Sequence, residues 1–270
     1  MKRRALIWPY VASILLSSCG LMQRGPKDIT METPPPRPTT LIAMEALQAQ
    51  FGTARMDTLF YRAKGSIRVQ SASTEQKARL EMRIHADPIA PQVWLDIADP
   101  FVGLKLARVN IDADTAQGYA HIINKVVNEP IARLENAGIP VSTMDLVHLL
   151  TGEPMAIPTS IIGMELTATM VEGVPVWDLR YPVQRGEHMG TLSLTVTQQA
   201  PHHLLTQSLS VEALHAKATV EYRTGGAWTA VFDSPEYQGG MQFEPNSAGW
   251  QAASLSFPFS LPSGYARVEL

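Results

Sequence analysis

The sequence of 270 residues holds one cysteine, Cys19, which leaves no disulfide framework to consider. It has no basic excess either: 22 Lys and Arg stand against 25 Asp and Glu. Three of those cations, Lys2, Arg3 and Arg4, sit at the extreme amino end, so the rest of the chain is more acidic still. An acidic, unclustered surface argues against nucleic acid as a partner. Beyond the amino-terminal segment no apolar run reaches the length of a membrane-spanning helix. The usual catalytic signatures are missing as well. There is no G-x-S-x-G elbow, no H-E-x-x-H, no phosphate loop and no glycine-rich dinucleotide turn. His202-His203 is the only histidine pair, and neighbours on a strand point to opposite faces, which opposes chelation of one ion. The expectation is a chain with no catalytic residues, no metal and no cofactor.

What is present begins with Leu16-Ser17-Ser18-Cys19. Lys2 to Arg4 form a positive region, Ala5 to Leu16 an apolar one, and two small residues precede the cysteine, the order of an export signal that is short for a membrane span. The pattern resembles a bacterial lipobox. That resemblance implies that the Cys19 thiol is diacylated, that residues 1–18 are removed, and that membrane lipid is reached through the acylated cysteine. The competing reading is a chance cysteine after an ordinary signal peptide. Residues 19–40 then read as a tether, with Pro26, Pro34, Pro35, Pro36 and Pro38 among polar residues. Such a segment cannot bury enough apolar surface to fold, and in polyproline-like form it spans ~3 Å per residue. Gly20, rather than an acidic residue, follows Cys19. By resemblance to sorted lipoproteins of Gram-negative envelopes, this implies the outer membrane, periplasm-facing.

Residues 41–270 are expected to form one domain. Leu41, Met44, Ala46, Leu47 and Phe51 lie near helical spacing. The period then falls to two: Ile67 and Val69, then Ala78, Leu80, Met82, Ile84 and Ala86, then Val93, Leu95 and Ile97, with Trp94 and Asp96 on the other face. A further strand is expected over Leu104 to Ile111, and strand residues Tyr119, His121 and Ile123 follow a turn near Asp114. Glu129 to Ala137 is predicted as a helix ended by Gly138. A second helix follows, capped by Ser142 or Thr143, striped by Leu146, Val147, Leu149 and Leu150, and ended at Gly152 and Pro154.

Between two of the early strands lies Asp99-Pro100-Phe101-Val102-Gly103-Leu104. Proline and glycine suit a turn, but Phe and Val at its tip do not. Either Phe101 folds back onto the sheet, or the loop presents Phe101 and Val102 to a bilayer or an acylated partner, where each buried side chain contributes ~1.5–3 kcal/mol.

This order of elements, with the D-P-F-V-G-L loop and the later G-I-P-V-S-T-M-D-L-V-H-L-L-T-G-E-P run, resembles the LolB family of outer-membrane lipoprotein receptors. It also resembles an uncharacterised family of envelope lipoproteins with a domain of unknown function. The resemblance covers about Phe60 to Pro154. It implies a mainly β, α+β fold: a strongly curved antiparallel sheet, or half-barrel, covered by short helices around an apolar cavity. It further implies acylated lipoproteins or lipids as ligand and a periplasmic carrier protein as partner. Phe101 and Val102 would occupy the membrane-inserting tip. Leu80, Met82, Ile84, Leu95, Leu106, Leu146, Leu149 and Leu150 would line the cavity, and Ile139-Pro140 to Gly152 would lid it.

The longer second half is again strands: Met164 to Met170, Val176 to Tyr181, Leu192 to Val196, Leu205 to Val211, Ala216 to Tyr222 and Trp228 to Phe232, with a finish at Leu255, Phe257 and Phe259. These are expected to complete the same curved sheet, and no internal repeat supports two half-barrels. Burying acyl carbons is favourable by ~0.8 kcal/mol each, so an apolar interior could carry them through water. The same face filled by its own side chains would give only a stable sandwich. The alternative function is a structural envelope lipoprotein that holds a protein partner through its sheet edge or apolar loop.

Overall fold

The structure is a computed structural model and describes residues 39–52, 59–71, 74–136, 141–235 and 238–268. Cys19, the signal segment, residues 19–38 of the expected tether, Gly138 and Ile139-Pro140 lie outside the described residues, while Thr39 and Thr40, expected in the tether, are helical. The amino-terminal half supplies strands β1 (Phe60–Ser71), β2 (Glu75–His85), β3 (Gln92–Ala98), β4 (Lys105–Ile111), β5 (Thr115–Ala120) and β6 (Lys125–Pro130). The carboxy-terminal half supplies β7 (Glu165–Val171), β8 (Val174–Arg185), β9 (His188–Thr197), β10 (Leu204–Val211), β11 (Ala216–Tyr222), β12 (Trp228–Asp233), β13 (Gln238–Gln251) and the short β14 (Ala266–Arg267). Among the described residues three α-helices accompany them: α1 (Thr39–Phe51), α2 (Ile131–Asn136) and α3 (Thr143–Thr151).

All fourteen strands form one curved, open sheet in the order β14-β6-β5-β4-β3-β2-β1-β13-β12-β11-β10-β9-β8-β7. Two meanders run outward from the middle, joined where β1 pairs antiparallel with β13. Only β14 is parallel to its neighbour, β6. The joint is irregular: Lys64 pairs with Ser247 but Gly65 with Pro245, so the β13 backbone bulges there. Position 65 admits only glycine, because a Cβ on Gly65 would lie 2.2 Å from the carbonyl oxygen of Glu244.

The period-two pattern of the sequence becomes one buried face. On β2, Ala78, Leu80, Met82 and Ile84 are buried, while their neighbours are not. Leu179, Leu192, Leu194 and Val196 of β8 and β9 continue that surface. Because β6 and β7 lie towards opposite edges of the sheet, the chain between them must cross it, and that crossing contains α2 and α3. Val147 and Leu149 of α3, with Ala43 and Leu47 of α1, pack into the same core as the inner side chains of the sheet. The expected helix over 41–51 is thus present, and Ser142 caps α3 with a reciprocal Asp145 bond while Gly152 closes it at φ 76°.

Three expectations need correction, and one strand is wholly unexpected. His121 and Ile123 are not strand residues but belong to the β5–β6 turn. Glu129 and Pro130 end β6, and the helix starts after Pro130, whose ring cannot serve a helix interior. Residues 238–251, rich in Gly, Pro and Asn, form the central strand β13, which the period of the sequence does not announce. Leu255, Phe257 and Phe259 are not a strand. They belong to an extended strap that crosses the outer face of β2 to β5 before Ala266 joins β6. The strap buries Trp94, 2% exposed, whose indole N–H donates to Pro258 O at 3.0 Å. Arg83 and Arg108 stand 4.5 and 5.2 Å from the Trp94 ring. Asp96, on the same outward face, is buried between Arg108 at 3.0 Å and Lys105.

Candidate functional site

The site is the space between the helices and the sheet, and it depends on how α3 is held. At its amino end the Thr143 hydroxyl donates to Asp112 O at 2.6 Å, and Asp145 lies 3.0 Å from the Arg185 guanidinium, both side chains largely buried. At its carboxy end the helix leaves carbonyls without intrahelical partners. The Tyr222 hydroxyl donates to Leu149 O at 2.9 Å. Gln207, 1% exposed, accepts from Met155 N at 3.0 Å and donates to Glu153 O at 3.0 Å, and its amide also reaches the Tyr222 hydroxyl. The Tyr181 hydroxyl donates to Ala156 O at 2.7 Å. Burial pushes the Tyr181 and Tyr222 hydroxyls well above their ordinary value, so both remain donors at any physiological pH.

Beside this clamp opens a cavity of about 450 Å³, within the range of small-molecule sites. Phe51 of α1, Leu150 at the end of α3, Leu204 of β10 and the aromatic side chains Tyr61, Tyr222 and Trp228 give it an apolar wall. Polar atoms enter from the segment holding His202 and His203 and from Arg223, which also pairs with Glu244 at 3.1 Å. The Nδ1 of His202 lies 2.9 Å from Thr197 O and its ring packs 5.5 Å from Trp177, so that side chain is held in place.

Of the eight side chains expected to line a cavity, Leu150 lines this one. Leu80, Met82, Ile84 and Leu149 are buried in the common core, where the protein's own side chains cover them. Leu95, Leu106 and Leu146 pack against that core while partly exposed. Tyr222 and Trp228 face each other across the β11–β12 hairpin, and Tyr61 reaches them through the β1–β13 joint and the pairing of β12 with β13. No spacing within the sequence links Tyr61 to the other two.

In the β3–β4 loop Phe101 does not fold back onto the sheet. Phe101 is 89% exposed and Val102 71%, followed by Leu104 at 67%. The Asp99 carboxylate accepts from the N–H groups of Phe101 and Val102, each at 2.8 Å, and Asp99 N donates to Leu104 O at 2.8 Å. Those N–H groups, Val102 first, hold the Asp99 carboxyl below the usual range. The neighbouring β5–β6 turn adds Ile122 and Ile123, 74% and 60% exposed. His121 N donates to Leu106 O at 2.8 Å, which ties this turn to the start of β4. Two adjacent hairpin tips therefore present apolar side chains at one end of the sheet.

Among the described residues no helix is long and apolar enough to cross a membrane, and no cluster of His, Cys, Asp and Glu could hold a metal ion. The curved, open sheet with its few helices is a fold this chain shares with a solved protein. A DUF1329 family protein from Desulfovibrio piger superposes with a TM-score of 0.52 at 7% identity, over 80% of this chain and 95% of that one. A candidate outer membrane lipoprotein-sorting domain from Vibrio parahaemolyticus gives 0.48 at 10% identity, covering 78% and 93% of the two chains. A LolA superfamily protein from Nitrosomonas europaea gives 0.43 at 8% identity, covering 80% and 97%. Identities this low describe fold alone. No family model matches the sequence, and no curated protein matches it.

Proposed function

We propose that this chain is a non-enzymatic, lipid-anchored protein of the cell envelope. It holds acyl chains between its helices and its curved sheet and passes an acylated lipoprotein or lipid into the outer membrane. Acylated Cys19 would supply the anchor and residues 19–40 the reach, and a periplasmic carrier would deliver the ligand. The observation that carries this reading is the β3–β4 tip: a large aromatic side chain, 89% exposed, braced in place by Asp99 rather than folded onto the nearby sheet. Exposure of that kind marks an interaction or membrane surface.

The test is delivery of a triacylated lipoprotein into phospholipid vesicles by the chain and by its Phe101→Glu variant. The variant should unfold at the same temperature and deliver far less. Equal delivery by the two proteins would remove the proposal.

A second reading has its own support. Among the described strands β7 ends the sheet with no strand paired on its outer side, and it carries Met170, 64% exposed, which suits pairing with a strand of an envelope partner. Co-purification of a stoichiometric protein without lipid would favour it.

A further inference from the structure

Trp228 is 4% exposed, it forms part of the wall of the 450 Å³ cavity, and its indole N–H has no hydrogen-bond partner among the described residues. Buried donors are nearly always satisfied, so an orphan in a cavity wall calls for an explanation. Among the described residues, the other buried side-chain polar atoms without a hydrogen bond belong to His148 and to Arg185, whose guanidinium is ion-paired with Asp145, and neither residue lines this cavity. A hydroxyl belongs to the same wall. Tyr61 lines the same cavity, and its oxygen lies 3.5 Å from where a Cβ on Gly226, another wall residue, would be. Burial raises the Tyr61 pKa, which keeps that hydroxyl protonated. Tyr222, between α3 and Gln207, is already engaged.

The indole nitrogen can donate but not accept, so the ligand that satisfies it brings an acceptor, and the aromatic wall around it favours an apolar body. We infer that Trp228, with Tyr61, forms a polar subsite for the carbonyl oxygen of an acyl group, either the carboxylate of a free fatty acid or the carbonyl of an acyl ester. This rests on the acyl-binding reading above and adds what orients the chain: the carbonyl end meets Trp228 and the hydrocarbon follows Phe51, Leu150 and Leu204. The N–H is shielded from solvent, so the carbonyl reaches it by entering the wall rather than lying across the mouth.

The experiment uses the full chain carrying Cys19→Ala, labelled with ¹⁵N at its tryptophan indoles, with the Trp228 resonance assigned from Trp228→Phe. The probes are laurate, methyl laurate and dodecane, which share a chain length and differ in the acceptor. The Trp228 N–H resonance should move downfield with laurate, methyl laurate or both, and stay in place with dodecane; which of the two moves it separates a free acid from an ester. Trp228→Phe should weaken the carbonyl probes about tenfold, the loss of one buried hydrogen bond, and leave dodecane binding unchanged. Tyr61→Phe, which removes a single oxygen, gives a second reading if Trp228→Phe does not fold. An unmoved resonance with all three probes bound equally would overturn the subsite and leave the acyl-binding cavity standing. Binding of none of the three would overturn both.

Discussion

The Tyr222 hydroxyl, on β11, donates to the carbonyl oxygen of Leu149 in the last turn of α3 at 2.9 Å. It is a side chain of the sheet completing a helix end that the helix cannot complete itself, and Gln207 holds the next residues of the chain in the same way. The helix over the sheet is therefore fastened by hydrogen bonds to strands of the second half, not by apolar contact alone.

Gln207→Leu should test this directly. It leaves Met155 N and Glu153 O without their partners in a buried place, and the cost should be about 1–3 kcal/mol in urea unfolding. Tyr222→Phe should cost less, because it frees one carbonyl at a helix end. Equal stability of Gln207→Leu and the parent chain would show that α3 is held by packing.

At the joint of the two meanders, Gly65→Ala places a methyl group 2.2 Å from Glu244 O. Backbone on both sides must move, and the expected loss is about 1–3 kcal/mol, the usual cost of overpacking. Gly103→Ala, where nothing lies within 4 Å but φ is 71°, should disturb only its own turn. Thermal unfolding of the pair separates a clash from a strained turn.

Bracing of the Phe101 tip depends on the charge of Asp99. The N–H groups of Val102 and Phe101 lower its pKa from the ordinary 3.8. Its contribution is thus complete above that ordinary value and is lost as pH falls through the lower folded one. The amide resonances of Phe101 and Val102 should stay constant from pH 7 to 5 and shift together below about pH 4. Asp99→Asn should remove the inflection, and at neutral pH Asp99→Ala should speed hydrogen exchange at both amides.

Trp94→Ala removes the ring that Arg83, Arg108 and the Pro258 carbonyl grip. A loss of about 3–5 kcal/mol is expected for a buried tryptophan. In milder form, Trp94→Phe keeps a ring but deletes the N–H, and limited proteolysis should then cut first within residues 252–265. Cleavage elsewhere would mean the strap is held by other contacts, such as the 5.8 Å packing of Phe259 on Tyr119.

How far the sequence leads depends on whether a signal is local. Alternation over Ala78 to Ile84 and Leu192 to Val196, and the Ser142-to-Gly152 caps, are written in neighbouring residues, and these elements form as expected. β13 is different: Gly239, Gly240, Pro245 and Asn246 argue for a loop. It is a strand because β1 and β12 impose it from both sides, with the proline at the bulge. Trp94 reads as an outward residue because the strap that covers it lies more than 150 positions away. The same non-locality hid the cavity. Phe101 was legible as unusual for a turn, whereas Tyr61 joins the hairpin neighbours Tyr222 and Trp228 only after the two halves meet.

Since the seam of the sheet is made from its first long strand and its penultimate one, synthesis must deliver the polypeptide almost as far as Gln251 before β1 can fill its second edge. Until then each meander carries a row of unsatisfied amides at what will become the centre, the kind of edge on which chains aggregate. Assembly is thus arranged to be late and all at once. Loss of a short stretch around Met241 to Phe243 would leave two partial sheets with no common interior.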